Sequence, residues 1–277
     1  MDKNFLKLGI IGNPLSHSIS PILQETAIKS IGKNGEYKKF ECDIEHLSET
    51  INFLKENNYL GFNVTIPHKE NILKYLDFID ETAEKIGAVN TVKIEKEKLF
   101  GFNTDIFGFI EPIKDKKFNN AAVLGAGGAA RAVVFGLNKL KVQNIKIYAR
   151  DMSKANIFIN SLKDKINANI AAEMLSDDLD FSNIDILINC TPLGMKGKFE
   201  EQTPTNLDNI NKKLFVYDIV YNPQETLLLK TAKEKDLEYT NGLDMLIYQG
   251  AKAFEIWTGE KPDISKMKIS AINYFYR

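Results

Sequence analysis

Cysteine is nearly missing from this 277-residue chain, which carries only Cys42 and Cys190. Two cysteines make neither a Cys-rich zinc site nor a disulfide framework, and such usage fits a reducing cytosol. Histidine is almost as scarce: His17, His46 and His68 have no metal-ligand spacing, so no metal is expected. Of 36 basic residues only Arg131, Arg150 and Arg277 are arginine, which makes each arginine position worth asking about. An excess of either charge is also lacking, since 36 basic side chains face 37 acidic ones for a net charge of -1. That balance argues against a nucleic-acid binder and against a surface adapted to anionic membranes. Long apolar runs are absent too. The first fourteen residues hold only a short one before Gly12 and Pro14, without a small-residue cleavage site, so no signal peptide is expected. The stretch 121–137 carries Arg131 and several glycines and is no membrane span. The expectation is a cytoplasmic monomer or homodimer acting on a small molecule.

What is present is an ordinary globular composition, 44% hydrophobic and 26% charged. At roughly 150 residues per domain, the length suggests about two domains. Strand and helix patterns alternate without repeats, which implies parallel sheets with right-handed crossovers. Strands are expected at 8–11, 37–42 and 61–66, and a hairpin at 88–94 and 99–102. Helices are expected from Ser20-Pro21 to Gly32, with Ser20 as N-cap and Pro21 at N1, over 46–57, and again from about Lys69. The lysine-rich stretch 114–120 marks a domain boundary. Beyond it, strands are expected at 121–124, 145–149, 184–189, 214–219 and 237–240. Helices fall at 129–140, 153–162 and 223–234, with Pro223 near N1. Two more, over 243–257 and 264–276, end the chain. The fold class is α/β with two domains, residues 1–114 plus 243–277 and residues 115–242. The C-terminal helices should pack back on the first domain, and the cleft should lie between the two.

Gly125-Ala126-Gly127-Gly128-Ala129-Ala130 fits G-x-G-x-x-A, follows an apolar strand and opens a helix. Glycines there let backbone N–H groups approach a pyrophosphate at the helix N-terminus. The plainer alternative is a glycine turn that permits close helix packing. At the end of the next strand an acidic residue would bind the ribose 2′-OH of NAD, and an arginine the 2′-phosphate of NADP. The chain offers Arg150, Asp151 and Lys154. Arg150 and Lys154 could clamp a phosphate, while Asp151 could oppose it or cap the following helix.

Four polar clusters lie in the first 105 residues. Ser16-His17-Ser18 precedes a helix start, where hydroxyls make a carboxylate site or simply bond local backbone. In Asn63-Val64-Thr65-Ile66-Pro67-His68-Lys69, strand alternation puts Asn63 and Thr65 on one face. Lys69 is expected in the first turn of a helix, against the dipole, which is a mild functional hint. Asn90 lies in an apolar strand, and Asn103-Thr104-Asp105 ends a strand, where Asp105 could be a plain N-cap. The histidines have no triad pattern.

In this order, these clusters resemble the shikimate dehydrogenase family. The match extends through Gly12-Asn13-Pro14, Gly87-Ala88-Val89-Asn90-Thr91, Asn189-Cys190-Thr191-Pro192-Leu193-Gly194-Met195, Tyr217-Asp218-Ile219-Val220-Tyr221 and Asn241-Gly242-Leu243-Asp244-Met245 to Gln249. The resemblance implies a substrate-binding first domain and a Rossmann-type NADP domain. It implies NADP-linked interconversion of shikimate and 3-dehydroshikimate, a step toward chorismate and the aromatic amino acids. By position, Ser16 and Ser18 would hold the substrate carboxylate, and Thr65, Asn90, Tyr221 and Gln249 the ring and its hydroxyls. Lys69 and Asp105 would be the catalytic pair. Gly125, Ala126, Gly127, Gly128, Ala129, Arg150, Lys154, Ile219, Gly242 and Glu81 would line the cofactor. The sequence departs from the family at Ala149-Arg150-Asp151, where Asn-Arg-Thr is common. Two alternatives stay open: a quinate/shikimate dehydrogenase with relaxed NAD/NADP use, and a non-catalytic NADP-binding metabolite sensor.

Overall fold

The structure is a computed structural model and describes residues 5–276. Arg277 and the outer ends of the expected first domain lie outside the described residues. The chain forms two compact units. The first runs to Gly108 and resumes at Ile247; the second is Phe109–Leu246.

The first unit contains β1 (Phe5–Gly12), α1 (Ser20–Ser30), β2 (Asn34–Glu41), α2 (Leu47–Glu56), β3 (Gly61–Val64), β4 (Phe78–Ile79), α3 (Glu81–Ile86), β5 (Thr91–Glu95) and β6 (Lys98–Phe102). Its sheet has the order β2-β1-β3-β5-β6-β4. β1 is parallel to both neighbours, and β5 is antiparallel to β3 and β6. The β5–β6 hairpin turns at Lys96 and Glu97, both at positive φ, as a two-residue type I′ turn requires. Leu47, Ile51 and Leu54 recur at helical spacing and bury one face of α2 against Ile11, Phe62, Val64 and Val92.

Two helix expectations fail in this unit. Ser20 does not cap α1: Ile19 holds the N-cap position with no side-chain bond, and Pro21 lies in the first turn. No α-helix starts at Lys69. A 3-10 turn, Asn71–Tyr75, is followed by Leu76 in extended conformation and then β4. Pairing of β4 with β6 draws the chain into the sheet before an α-helix can propagate. Lys69 therefore opposes no helix dipole.

The second unit follows α4 (Asp105–Ile110), in which the first ends. It contains β7 (Asn120–Leu124), α5 (Gly128–Lys139), β8 (Asn144–Ala149), α6 (Met152–Asn160), β9 (Asn169–Met174), β10 (Asp180–Phe181), β11 (Ile186–Asn189), β12 (Asn209–Ile210), β13 (Phe215–Asp218), α7 (Leu227–Glu234) and β14 (Glu238–Thr240). Six strands in the order β14-β13-β11-β7-β8-β9 form a wholly parallel sheet. The order runs outward both ways from β7 and β11, so the topological switch point, where doubly wound folds bind ligands, lies at their C-terminal ends. All four residues of β11 and of β13 are buried, as expected of a sheet covered on both faces. Pro223 is not in α7, which starts at Leu227. Thr226 fixes that start, since its hydroxyl accepts from Leu229 N at 3.4 Å.

α8 (Leu243–Thr258) carries the chain back into the first unit, and α9 (Ile264–Phe275) packs there on α1. Trp257 Nε1 on α8 donates to Val92 O at 2.9 Å. Gly61 makes room for that ring, because an added Cβ would stand 2.3 Å from it. No helix among the described residues is long and apolar enough to cross a membrane.

Candidate active site

Folding brings Lys69 and Asp105 together across 36 positions, with Lys69 Nζ donating to Asp105 Oδ2 at 2.6 Å. Lys69 sits in the turn after β3. Val89 N donates to Lys69 O at 2.9 Å, and His68 N to Thr65 O at 2.8 Å. The imidazole of His68 is fully buried, and its Nε2–H donates to Cys42 O at 2.7 Å. A histidine without an expected role thus anchors the turn that presents the lysine. Asp105 opens α4, but its side chain is no cap. Oδ1 accepts from Asn90 Nδ2 at 2.7 Å while Oδ2 meets Lys69.

Asn90 lies just before β5 rather than in it, and it bridges β3 and β6: Val64 N donates to its carbonyl at 2.8 Å, and its own N to Phe102 O at 3.1 Å. Its Oδ1 accepts from Thr104 N at 2.8 Å and Thr91 Oγ1 at 3.0 Å. A flipped amide would set two donors against Thr104 N, so Nδ2 is committed to Asp105. Behind it, Asn63 Nδ2 donates to Thr91 Oγ1 at 3.1 Å, and Tyr37 OH to Asn63 Oδ1 at 2.7 Å. Tyr37, Asn63, Thr91 and Thr104 are all buried, and burial pushes the Tyr37 phenol well above its ordinary value, leaving it a neutral donor. Tyr37 carries no sequence signal of its own, because its partner Asn63 lies 26 positions away, and Thr91 and Thr104 stand in the polar clusters without any local sign that they are buried.

The other expected substrate residues are more open. Ser16 is exposed, and Lys39 Nζ reaches its carbonyl at 3.2 Å. Ser18 is half-buried, with its Oγ 3.2 Å from Ser20 Oγ. Thr65 is half-buried with its methyl over Gly12, where an added Cβ would come within 2.3 Å. Gln249 extends from α8 to within 3.5 Å of Thr104 Oγ1. Glu81, in the first unit, opens α3, is 79% exposed and pairs with Lys85 at 2.6 Å. Tyr221 belongs to the second unit and is half-buried, which raises its phenol.

Also in the second unit, Gly125 adopts φ +103° after β7, and Gly127 stands at the N-cap of α5 without a side-chain bond. A Cβ added at Gly127 or Gly128 would meet nothing within 4 Å. The first-turn N–H groups of this twelve-residue helix therefore face open space, beside Ala126 and Ala129, a cradle that fits a pyrophosphate. Arg150 is exposed after β8. Asp151 Oδ1 accepts from Lys154 N at 3.0 Å, so this acid caps α6. Lys154 Nζ is exposed and lies 3.7 Å from Asp151 Oδ2. Two cations on one exposed turn fit a phosphate monoester. Arg131 instead lays its guanidinium over the Phe158 ring, 5.4 Å from the centroid. At Gly242 an added Cβ would stand 1.9 Å from Ile219 O, so only glycine lets these two backbones touch. Among the described residues, no group of three His, Cys, Asp or Glu side chains could hold a metal.

Comparison with known proteins gives two family matches. Residues 10–92 match the shikimate dehydrogenase substrate binding domain, and residues 242–268 the shikimate 5'-dehydrogenase C-terminal domain. A curated relative from Methanococcus aeolicus, shikimate dehydrogenase (NADP(+)), is 47% identical over 270 residues, 96% of each chain. A crystal structure of a shikimate dehydrogenase in complex with NADP+ is 41% identical, with a TM-score of 0.91 over 99% of this chain and 96% of that one. Shikimate 5-dehydrogenase from Thermus thermophilus, in complex with NADP(H) and shikimate, is 34% identical, with a TM-score of 0.86 over 97% and 99%.

Proposed function

Because the chain belongs to the shikimate dehydrogenase family, we propose that it catalyses the reversible NADPH-linked reduction of 3-dehydroshikimate to shikimate, on the route to chorismate and the aromatic amino acids. It is an NADP-dependent oxidoreductase acting on a CH–OH group, and by this reading it works in the cytoplasm on small molecules.

The observation that carries the assignment of the chemistry is the Lys69–Asp105 pair at 2.6 Å, held by the Asn90 amide. Bound nicotinamide supplies or takes the hydride. The protein's task is the proton of the C3 alcohol. In the reducing direction Lys69, as an ammonium, donates a proton to the C3 oxygen as charge develops there. In the oxidising direction the amine takes that proton back. Asp105 holds the lysine in place and stabilises its charged form. Ser16 and Ser18 hold the carboxylate, and Thr65, Asn90, Tyr221 and Gln249 the ring. The loop 125–129 receives the pyrophosphate, Arg150 and Lys154 the 2′-phosphate, and Ile219 and Gly242 line the cofactor.

The test is to incubate the purified protein with shikimate and NADP+ and follow the absorbance of reduced nicotinamide. Turnover is expected. No turnover with shikimate or with quinate would overturn the enzyme reading and leave the metabolite sensor.

A further inference from the structure

One buried carboxylate takes no part in the chemistry above. Asp218, the last residue of β13, is 0% exposed. Its Oδ1 accepts from Asn189 Nδ2 at 2.9 Å and from Val220 N at 3.0 Å, and its Oδ2 from Thr226 Oγ1 at 2.7 Å. Three donors from three segments converge on one side chain: the end of β11, the turn after β13 and the cap of α7.

Each segment leads to the cofactor residues. Asn189 is also 0% exposed, and its Oδ1 accepts from both N and Oγ1 of Thr191, at 2.9 and 2.7 Å. Because Asp218 accepts from the Asn189 amide nitrogen, the amide oxygen must face Thr191. The Thr191 methyl in turn packs on Gly125, where an added Cβ would lie 3.2 Å from it. On the other side, Val220 O accepts from Gly242 N at 3.1 Å, and Ile219 N donates to Asn189 O at 3.1 Å.

We propose that Asp218 is a positioning residue for the cofactor site, fixing the 219–221 turn directly and the glycine loop through Asn189 and Thr191. An anion suits the place because it accepts from three donors at once and donates nothing in return. Removing it would leave buried donors unmet, and the loops would move to find water or other acceptors. The inference rests on the cofactor reading above.

The test measures NADP+ binding to the full chain by calorimetry, alongside the KM for shikimate. Asp218→Ala is expected to weaken NADP+ about tenfold or more, the scale of a lost charge-assisted bond. Its KM for shikimate should rise by a smaller factor than its NADP+ affinity falls, because Tyr221 is the one substrate residue in the positioned segments, while Ser16, Ser18, Thr65, Asn90 and Gln249 belong to the first unit. Asp218→Asn keeps both acceptor bonds on Oδ1 and should restore affinity to within about threefold of the natural chain. Should the alanine variant not fold, Thr226→Val removes one donor at constant shape and is expected to weaken NADP+ about threefold. Folded variants with unchanged NADP+ affinity overturn the inference, as does a parallel rise in the KM for shikimate, which would mark a general structural role. A natural chain that does not bind NADP+ removes the cofactor reading and the inference together.

Discussion

Replacing Asp218 by asparagine should change how stability depends on pH, and in an unusual direction. Burial pushes this carboxyl from its ordinary value up to about 6, against the lowering effect of its bonds from Thr226, Val220 and Asn189. Desolvation wins because the group is fully buried and no cation contacts it among its bonded partners. A carboxyl with a raised folded-state pKa binds its proton in the folded chain at a pH where the unfolded chain has lost it. Its contribution is therefore most favourable below about pH 4, and is lost as pH rises to about 6. The displacement from the ordinary carboxyl value to about 6 corresponds to about 3 kcal/mol. Most carboxylates act in the opposite sense, so the comparison must be between two chains that differ at this position alone. Asparagine is isosteric and cannot titrate. Relative to the natural chain, Asp218→Asn should gain about 3 kcal/mol of stability between about pH 4 and about pH 7. Urea unfolding of both proteins across that range measures the difference. A difference that stays constant with pH would refute the reasoning, since it would mean that the carboxyl titrates alike in the folded and unfolded states.

Four further outcomes follow from the site. Lys69→Ala should lower kcat by about 10²–10⁴ while NADP+ binding is little changed, whereas a loss confined to KM would reassign the lysine to ground-state binding. Steady-state kinetics should favour NADP+ over NAD+, and Arg150→Ala should narrow the gap; equal or better efficiency with NAD+ in the natural chain would refute the phosphate clamp. Asp151→Ala removes the α6 cap and should cost about 1 kcal/mol in urea unfolding, and an unchanged midpoint would argue that the cap contributes nothing. Gly242→Ala forces a Cβ toward Ile219 O and should cost about 1–3 kcal/mol while raising the KM for NADP+; natural values for both would contradict the close approach.

The alternation of apolar strands and capped helices is local, and it made most of the second unit's parallel sheet legible from the sequence. β9 was not legible: Asn169-Ile170-Ala171-Ala172-Glu173-Met174 has a single β-branched residue, and the segment becomes a strand by pairing with β8. The region after Lys69 misled for a related reason, because sheet pairing by β4 overrode a helical pattern. The polar clusters drew attention to Lys69, Asn90 and Asp105, but the local hint at Lys69 rested on a helix that does not form and Asp105 read equally well as a plain N-cap, so the pairing of the two came from the family resemblance. The setting of Asn90 was hidden. Tyr37, Asn63, Thr91 and Thr104 join it through bonds that span up to 28 positions, and nothing local marks a threonine as buried. Asp151 could cap a helix or oppose a phosphate, and its bond to Lys154 N shows the cap.

Trp257 is the only tryptophan in the chain, 4% exposed, with its indole tied to Val92 O beside Gly61. The protein therefore carries one indole, which can be excited apart from its ten tyrosines, and it belongs entirely to the first unit. A red shift of its emission on denaturation records the opening of that unit's sheet alone, while far-ultraviolet dichroism sums the helices and strands of both units. Coincident transitions would mark the chain as a single cooperative system, and separated ones would resolve two melting events without any label being attached.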